Sequence, residues 1–195
     1  MRNQAKAWLV LVGVLVALVF LLIIGISWYI SGYNKAVRLD EAVKTSWANV
    51  DTTLQRRLDL IPNLVKTVQG YAEHEKELFE NIAKSREKYF QAGSPAEKMQ
   101  ASNMLSGLLS RLLVLQERYP DLKANQNFRD LQVALEGTEN RINVARTRYN
   151  EAARQLNTYS REFMGSFFCR RAGVEQAEYF EATEQAKTEV PQVQF

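Results

Sequence analysis

Hydrophobic and polar residues are distributed in two different ways along this chain. Between Ala7 and Ile30 there is no charged residue, and 16 of the 24 positions are Leu, Ile, Val or Phe. After residue 31, apolar residues recur every three or four positions, which is the spacing of one face of an α-helix. The pattern predicts one continuous apolar helix followed by several amphipathic helices.

The apolar segment has the length and the flanking residues of a membrane anchor. Trp8 lies near its start, and Trp28 and Tyr29 lie near its end. The interval from Trp8 to Trp28 spans about 30 Å as a helix, which is the thickness of a bilayer's hydrocarbon core. A cleavable secretory signal is the alternative, but its apolar region is shorter and precedes a small-residue cleavage site. We therefore expect an uncleaved single-pass anchor with these aromatic side chains at the two interfaces.

The first amphipathic stripe predicts a long helix after the anchor, with only Ser31 and Gly32 as a hinge. Pro62 interrupts the stripe without changing its register. Because proline removes one backbone hydrogen bond, we expect a kink there rather than a fold boundary. Further apolar residues predict that this helix continues to about Gln91. The stripe consists of Val43, Trp47, Val50, Leu54, Leu58, Ile61, Val65, Val68 and Ala72.

The sequence then predicts the end of one helix and the start of another. Ser94 can cap a new helix, Pro95 suits its first position, and Glu97 completes a capping box. This helix is predicted to end at Pro120, and a polar connection over residues 121–127 leads into the last helix.

The most regular stripe predicts one long amphipathic helix. Its spacings alternate between three and four residues, which keeps one seam of a helix facing its partners over about 54 Å. The stripe consists of Phe128, Leu131, Leu135, Thr138, Ile142, Ala145, Tyr149, Ala152, Leu156, Tyr159 and Phe163.

No strand-like alternation competes with these stripes, so the sequence predicts an all-α protein. We expect a single N-terminal transmembrane helix followed by a long antiparallel helical bundle, similar to a four-helix bundle. The predicted organisation is an N-terminal flank (1–6), the anchor (7–30), a helical bundle domain (31–168) and a C-terminal tail (169–195). Tyr179 and Phe180 are the candidate anchors of that tail.

Composition excludes several classes of protein. Apart from Arg2 and Lys6, which precede the anchor, the chain has 23 basic and 22 acidic residues, without the clustered basic face of a nucleic-acid binder. Cys169 is the only cysteine and His74 the only histidine, so one chain can form neither a disulfide nor a Cys/His metal cluster. Since no Gly-x-Gly-x-x-Gly, Walker, Gly-x-Ser-x-Gly or His-Glu-x-x-His pattern occurs, the sequence predicts no catalytic residue, no metal site and no cofactor.

Several short segments of the sequence together resemble those of a known protein family. They are Tyr33-Asn34, Arg56 to Val65, Tyr71 with His74-Glu75, Tyr119 to Leu122, Asn127-Phe128, Leu131, Thr138 to Ile142, Ala145-Arg146, Tyr149-Asn150, Tyr179 to Glu181, and the closing Pro191, Val193 and Phe195. In these segments, and over nearly its whole length, the chain resembles the LemA family of bacterial membrane-anchored helical proteins. One departure is the missing proline near Phe163 and Met164, after the long helix.

The resemblance implies one N-terminal membrane helix, a four-helix-bundle-like domain and no established biochemical activity. Genes of the family often lie beside those of membrane-linked partners, including a membrane zinc metalloprotease. We therefore expect a non-enzymatic scaffold that self-associates or docks a membrane protein such as a protease, with the lipid bilayer as its other partner. A membrane-bound hydrolase, or a direct subunit of a membrane protease complex, is the alternative.

Aromatic residues outside the stripes favour self-association, because leftover apolar surface usually marks an interface. These residues are Phe79, Phe90, Phe167 and Phe168. The sequence therefore predicts a homo-oligomer.

The matched polar residues have two interpretations. Asp59 or Asn63 could bond the backbone groups that Pro62 frees, and Glu139 or Arg141 could pair with the kinked helix. Such residues either hold the bundle in register or form a docking surface. The full set is Tyr33, Asn34, Arg57, Asp59, Pro62, Asn63, Glu139, Asn140, Arg141, Tyr149 and Asn150.

The positive charges on the two sides of the anchor bear on which side of the membrane the helical bundle lies. Arg2 and Lys6 compete with Lys35, Arg38 and Lys44, so the positive-inside count is nearly tied. The short, acid-free N-terminus favours the N-terminus inside a bacterial inner membrane, with the bundle in the periplasm or outside. A cytoplasmic bundle is the alternative.

Overall fold

The computed structural model describes residues 2–180, with side chains described from Leu11 onward. Helix α1 covers Arg2–Gln69, α2 Lys76–Gln91, α3 Pro95–Val114, α4 Pro120–Ala124, α5 Gln126–Arg161 and α6 Phe163–Ala172, and a 3-10 turn covers Leu115–Glu117. Residues 2–180 contain no strand, which confirms the predicted all-α class. The side chain of Trp8 and the tail residues 181–195 lie outside what the structure describes.

Helix α1 runs without a break from the apolar segment to Gln69. The hinge expected at Ser31 and Gly32 is not seen, because both residues are helical. Pro62 lies inside the helix, as the unchanged register of the stripe predicts. Among the described helices, α1 alone is long and apolar enough to cross a membrane, by length and composition.

The prediction that the first helix continues to Gln91 is wrong. Residues 70–75 form a turn, in which the N–H groups of Tyr71 and Ala72 both donate to the carbonyl of Val68, over 2.9 and 3.0 Å. Gly70 is the local cause, because glycine has a low helix propensity. The apolar spacing hides this turn, since Ala72 is buried within it.

Helix α3 begins as the capping box predicts. The Glu97 N–H donates to the Ser94 hydroxyl over 3.2 Å. In return, the Glu97 carboxylate accepts the N–H of Gly93 over 2.7 Å, whereas a capping box would use the N–H of Ser94. Such a cap stabilises a helix by about 1 kcal/mol. The stretch predicted as a polar connection instead contains α4, whose Leu122 is fully buried.

Helix α5 is the predicted long helix, and its buried residues include a regular heptad series. Phe128, Leu135, Ile142, Tyr149 and Leu156 are all buried. The last predicted position of the stripe is not: Phe163 is 87% exposed and belongs to α6. The chain leaves α5 at Glu162, so the helix ends without the proline that the resemblance leads one to expect.

The described residues fall into two compact units. The first comprises residues 2–43 and 154–177, and the second residues 44–153 and 178–180.

In the first unit, two glycines allow close packing. A side chain at Gly32 would overlap the ring of Phe168, and one at Gly165 would overlap the carbonyl of Tyr159. The Tyr159 hydroxyl donates to the Gly32 carbonyl over 3.0 Å. At the end of α6, Gly173 adopts a φ of 66°, a left-handed conformation that glycine accepts without strain.

In the second unit, α2 packs against α3, and buried apolar residues come from five helices. They include Leu54, Leu58, Ile61 and Leu64 of α1, Phe79 and Ile82 of α2, Leu105 and Leu112 of α3, Leu122 of α4, and Phe128, Leu135 and Ile142 of α5.

Candidate docking site

A buried arginine joins three helices of the second unit. Arg57 of α1 is only 6% exposed. Its guanidinium Nη1 donates to the Ser106 hydroxyl of α3 over 3.0 Å and lies 2.9 Å from the Glu139 carboxylate of α5. Glu139 therefore makes the kind of ion pair with α1 that the sequence predicts, whereas Arg141 is exposed.

A second arginine extends this network. Arg146 Nη2 donates to the Ser102 hydroxyl over 3.1 Å and to the Asn103 side-chain oxygen over 3.2 Å. Within the described residues, the buried Nε of Arg146 has no hydrogen-bond partner. We call Arg57, Ser102, Ser106, Glu139 and Arg146 the arginine network.

Burial shifts the pKa of both arginines of the network in the same direction. Burial lowers the pKa of Arg57, the charge of Glu139 opposes that shift, and the charge of Arg146 adds to it. Burial also lowers the pKa of Arg146. Both guanidinium groups nevertheless stay protonated near neutral pH, so they cannot take a proton from Ser102 or Ser106.

The backbone group freed by Pro62 is satisfied from another helix. Proline has no N–H to offer to the Leu58 carbonyl. The Arg86 Nε of α2 donates to that carbonyl over 3.3 Å. Among the described residues Arg86, and not Asp59 or Asn63, thus supplies the bond.

A third polar contact links α1 with α2 and α3. The Tyr89 hydroxyl donates to the Asp51 carboxylate over 2.6 Å, and Lys98 Nζ lies 2.8 Å from the same oxygen. Burial raises the pKa of Tyr89, and so do the hydrogen bond to Asp51 and its negative charge.

Tyr149 and Asn150 hold the end of the described tail segment. The Tyr149 and Phe180 rings lie 5.6 Å apart, and Trp47 lies 5.7 Å from Tyr149 and 5.9 Å from Phe180. The Asn150 side chain donates to the Phe180 carbonyl over 3.0 Å and accepts its N–H over 2.9 Å. Phe180 is buried and Tyr179 exposed, so only one of the two candidate tail anchors packs inside.

Asn140 and Arg141 line a cleft in the second unit, which we call the polar cleft. Its volume is about 540 Å³. Among the described residues, its lining contains hydroxyls, amides and two guanidinium groups but no carboxylate. The lining residues are Ser46, Asn49, Thr52, Thr53, Asn140, Arg141, Val144, Ala145 and Arg148.

The remaining predicted site residues lie on exposed parts of α1. Asp59, Pro62 and Asn63 are exposed and share one helix face by their spacing. Tyr33 is 37% exposed and Asn34 is exposed.

At the end of the apolar segment, within the first unit, Trp28 and Tyr29 contact aromatic residues of α6. The ring centroids of Trp28 and Phe168 are 5.4 Å apart, and those of Tyr29 and Phe167 6.4 Å.

Of the four aromatic residues that predict self-association, two pack inside. Phe79 and Phe168 are 6% and 2% exposed, whereas Phe90 and Phe167 are exposed. The homo-oligomer therefore stays a prediction that rests on fewer residues.

Sequence reasoning missed Arg86, Asp51 and Arg146. Arg86 carried a usable signal, because it occupies an apolar stripe between Ile82 and Tyr89. The described part of the chain contains no group of three or more His, Cys, Asp or Glu side chains that could hold a metal ion.

These features define an all-helical protein with one N-terminal helix that could cross a membrane and polar contacts that tie helices together. The chain belongs to the LemA family, whose sequence profile matches residues 46–195. The resemblance stated above is thereby confirmed.

Three magnetosome proteins are similar to this chain in sequence. Magnetosome proteins MamQ 2 and MamQ 1 of Paramagnetospirillum magneticum are each 25% identical to this chain, and magnetosome protein MamQ of Magnetospirillum gryphiswaldense is 23% identical. Each alignment covers 76% of this chain, and the chain spans only 64% of the length of these relatives.

Proposed function

We propose that this chain is a non-enzymatic, single-pass membrane protein whose helical domain docks other membrane proteins or further copies of itself. The observation that carries the proposal is α1, because one uninterrupted helix contains both a charge-free apolar segment and a packed amphipathic segment. Membership of the LemA family supports an accessory role. The magnetosome names of the MamQ relatives describe those proteins, and the proposal does not extend them to this chain.

The domain arrangement in the proposal is an antiparallel bundle of α1, α2, α3 and α5 over residues 31–168, between the anchor at 7–30 and a tail from residue 169. Contacts of Arg57 with Ser106 and Glu139 connect α1 with α3 and α5. Contacts of Asp51 with Tyr89 and Lys98 connect α1 with α2 and α3. Short connections between successive helices favour antiparallel neighbours.

The polar cleft is the proposed docking surface. Since its described lining has two arginines and no carboxylate, an acidic segment of a partner complements its charge. Docking at this cleft requires no proton transfer, in keeping with a non-enzymatic role.

A cross-linking experiment tests this docking surface. A photo-crosslinking residue replaces Val144 at the cleft, and in a matched variant it replaces Val133, an exposed valine elsewhere on α5. The full-length protein is cross-linked in membranes. We expect a discrete adduct from position 144 that Arg148→Glu removes while the melting temperature holds. Equal adducts from both positions would contradict the proposal.

Two further measurements address the rest of the proposal. Light scattering of the detergent-solubilised protein should give a protein mass above 22.4 kDa, and a monomer at every concentration would refute self-association. A turnover activity that disappears in a folded Glu139→Gln variant would favour the enzyme alternative.

The proposed orientation has the N-terminus in the cytoplasm of a bacterial cell and the helical domain outside the inner membrane. Cys169 is a poor reporter of it, because the side chain is 3% exposed and burial raises the pKa of its thiol. Val133, at 68% exposure, is a better position. A Cys169→Ala, Val133→Cys protein should react with an impermeant maleimide on intact spheroplasts, whereas reaction only after lysis would reverse the orientation.

A further inference from the structure

Helix α6 leaves three large apolar side chains on its surface. Phe163 is 87% exposed, Met164 46% and Phe167 43%. Single exposed apolar residues are ordinary, but neighbouring ones mark a contact surface. We call these three residues the α6 apolar face.

The α6 apolar face adjoins the end of the apolar segment of α1. Phe167 lies 6.4 Å from the ring of Tyr29, and Phe168, packed inside, lies 5.7 Å from Tyr29 and 5.4 Å from Trp28. Trp and Tyr at the end of a membrane helix lie at the level of the lipid headgroups. A helix that touches both of them is therefore at that level too.

The position of α6 beside α1 is fixed by close backbone packing within the first unit. Because Gly32 has no side chain, the Phe168 ring fits directly against α1. Gly165 likewise lets α6 approach the Tyr159 carbonyl at the end of α5, and Tyr159 in turn bonds to Gly32. The exposed side chains of the α6 apolar face are consequently held in place by a helix that packs closely against α1.

The charge of α6 suits the same environment. Its last turn contains Arg170 and Arg171, both exposed, and no acidic residue occurs between Phe163 and Ala172. Arg170 and Arg171 follow Phe167 by three and four residues, so they lie further along the same helix face. Interfacial helices combine such aromatic and basic side chains.

We propose that α6 is an interfacial helix, whose apolar face enters the bilayer surface while Arg170 and Arg171 contact phosphate headgroups. The partner is the phospholipid membrane itself. This inference rests on the anchor in the proposed function, and it adds a second lipid contact that would hold α6 at the membrane surface.

Fluorescence in vesicles tests the proposal on the full-length protein. Cys169→Ala removes the natural thiol, and an environment-sensitive nitrobenzoxadiazole label is attached at Phe163→Cys. Two matched labelled variants are Phe20→Cys, in the apolar segment of α1, and Val114→Cys, an exposed apolar position of α3 that the proposal does not place in lipid. The vesicles contain phosphatidylcholine and phosphatidylglycerol, with or without brominated acyl chains.

We expect brominated lipid to quench the labels at positions 163 and 20 at least twofold and to leave position 114 unchanged. Arg170→Gln with Arg171→Gln should reduce quenching at position 163 when phosphatidylglycerol is present. Quenching at position 20 without quenching at 163 would overturn the interfacial helix and leave the anchor intact. Quenching at neither position would contradict the anchor itself.

A protein contact at α6 has a different signature. If a second copy covered the α6 apolar face, the emission at position 163 would shift to shorter wavelength with rising protein density, without quenching by brominated lipid. That outcome would also overturn the proposal. Circular dichroism of each labelled protein, compared with the unlabelled chain, shows that the helices are retained.

Discussion

The leucines in the two halves of α1 have different surroundings. Leu18 and Leu21 in the first half are 57% and 63% exposed, whereas Leu58 and Leu64 in the second half are 2% and 0% exposed. Apolar residues surround the helix in the first half and occupy one stripe in the second. A helix that is apolar on all sides suits lipid, and one with a single stripe suits a packed protein core.

The two halves also differ in how they accommodate charge. Residues 11–30 contain no charged side chain, but the second half buries Arg57 at 6% exposure and half-buries Asp51. Those charges are tolerated because partners on α2, α3 and α5 pair with them. The second half thus depends on its neighbours in a way that the first does not.

The largest expected effect comes from making the same substitution in each half. Leu64→Ala should reduce the free energy of unfolding of the helical domain by about 2–5 kcal/mol, since it removes a fully buried side chain. Leu18→Ala, the matched control, should change it by less than about 0.5 kcal/mol. Denaturant unfolding in detergent measures both, and equal losses would break the comparison.

Removing one partner of the arginine network should have the next largest effect. Glu139→Gln leaves the buried charge of Arg57 without its counter-ion, and we expect a loss of about 1–3 kcal/mol. The cost stays below that of a fully buried pair because the Glu139 side chain is 39% exposed. Glu136→Gln, at an exposed position one turn earlier, should cost less than about 0.5 kcal/mol. A neutral effect of Glu139→Gln would mean that the ion pair does not stabilise the fold.

Tyr89 should make the second half sensitive to alkaline pH. Its pKa is raised above the ordinary value of 10.0, so the unfolded chain loses this proton before the folded one. The stabilisation is complete below pH 10 and declines as pH rises above 10, by about 1.4 kcal/mol per pH unit. Tyr89→Phe should therefore have a shallower decline. Identical slopes for the two proteins between pH 10 and 11 would contradict the buried contact with Asp51.

The smallest effect concerns Pro62, in a double-mutant cycle. Arg86→Ala should cost about 1 kcal/mol, because it leaves the Leu58 carbonyl without a partner. In a Pro62→Ala background the new backbone N–H can bond that carbonyl, so the same change should cost about 0.5 kcal/mol less. Strictly additive costs would show that Arg86 does not compensate for the proline.

The buried faces of the long helices could be predicted from the sequence, but the turns between helices could be predicted only in part. Helix α5 differs from its predicted extent by two residues at each end, since a heptad spacing specifies a continuous buried face. The turn at residues 70–75 was missed because the apolar spacing passes through it, and α4 because its buried residue is a single leucine. Local patterns do not show when tertiary packing uses an apolar residue inside a turn.

Polar residues of the candidate site that lie beside an apolar stripe could be predicted from the sequence. The residues that they contact on other helices could not. Glu139 adjoins the seam of α5, which indicates a contact with a neighbouring helix. Arg86 reaches a carbonyl 28 positions away, and Arg146 reaches Ser102 at a separation of 44. Such pairs follow from the packing of whole helices, so no local spacing identifies them.

The central claim is that one continuous helix passes from a lipid environment into a protein core. Spin labels placed singly from residue 14 to residue 64, in a Cys169→Ala background and in vesicles, test it through collision with oxygen and with a water-soluble nickel complex. The account predicts high oxygen accessibility on every side from residue 14 to residue 26. From residue 43 onward it predicts a period of 3.6 residues, with minima at Val50, Leu54, Leu58 and Ile61. Water accessibility of the whole first half, or mobile labels on all sides at residues 31–36, would contradict it.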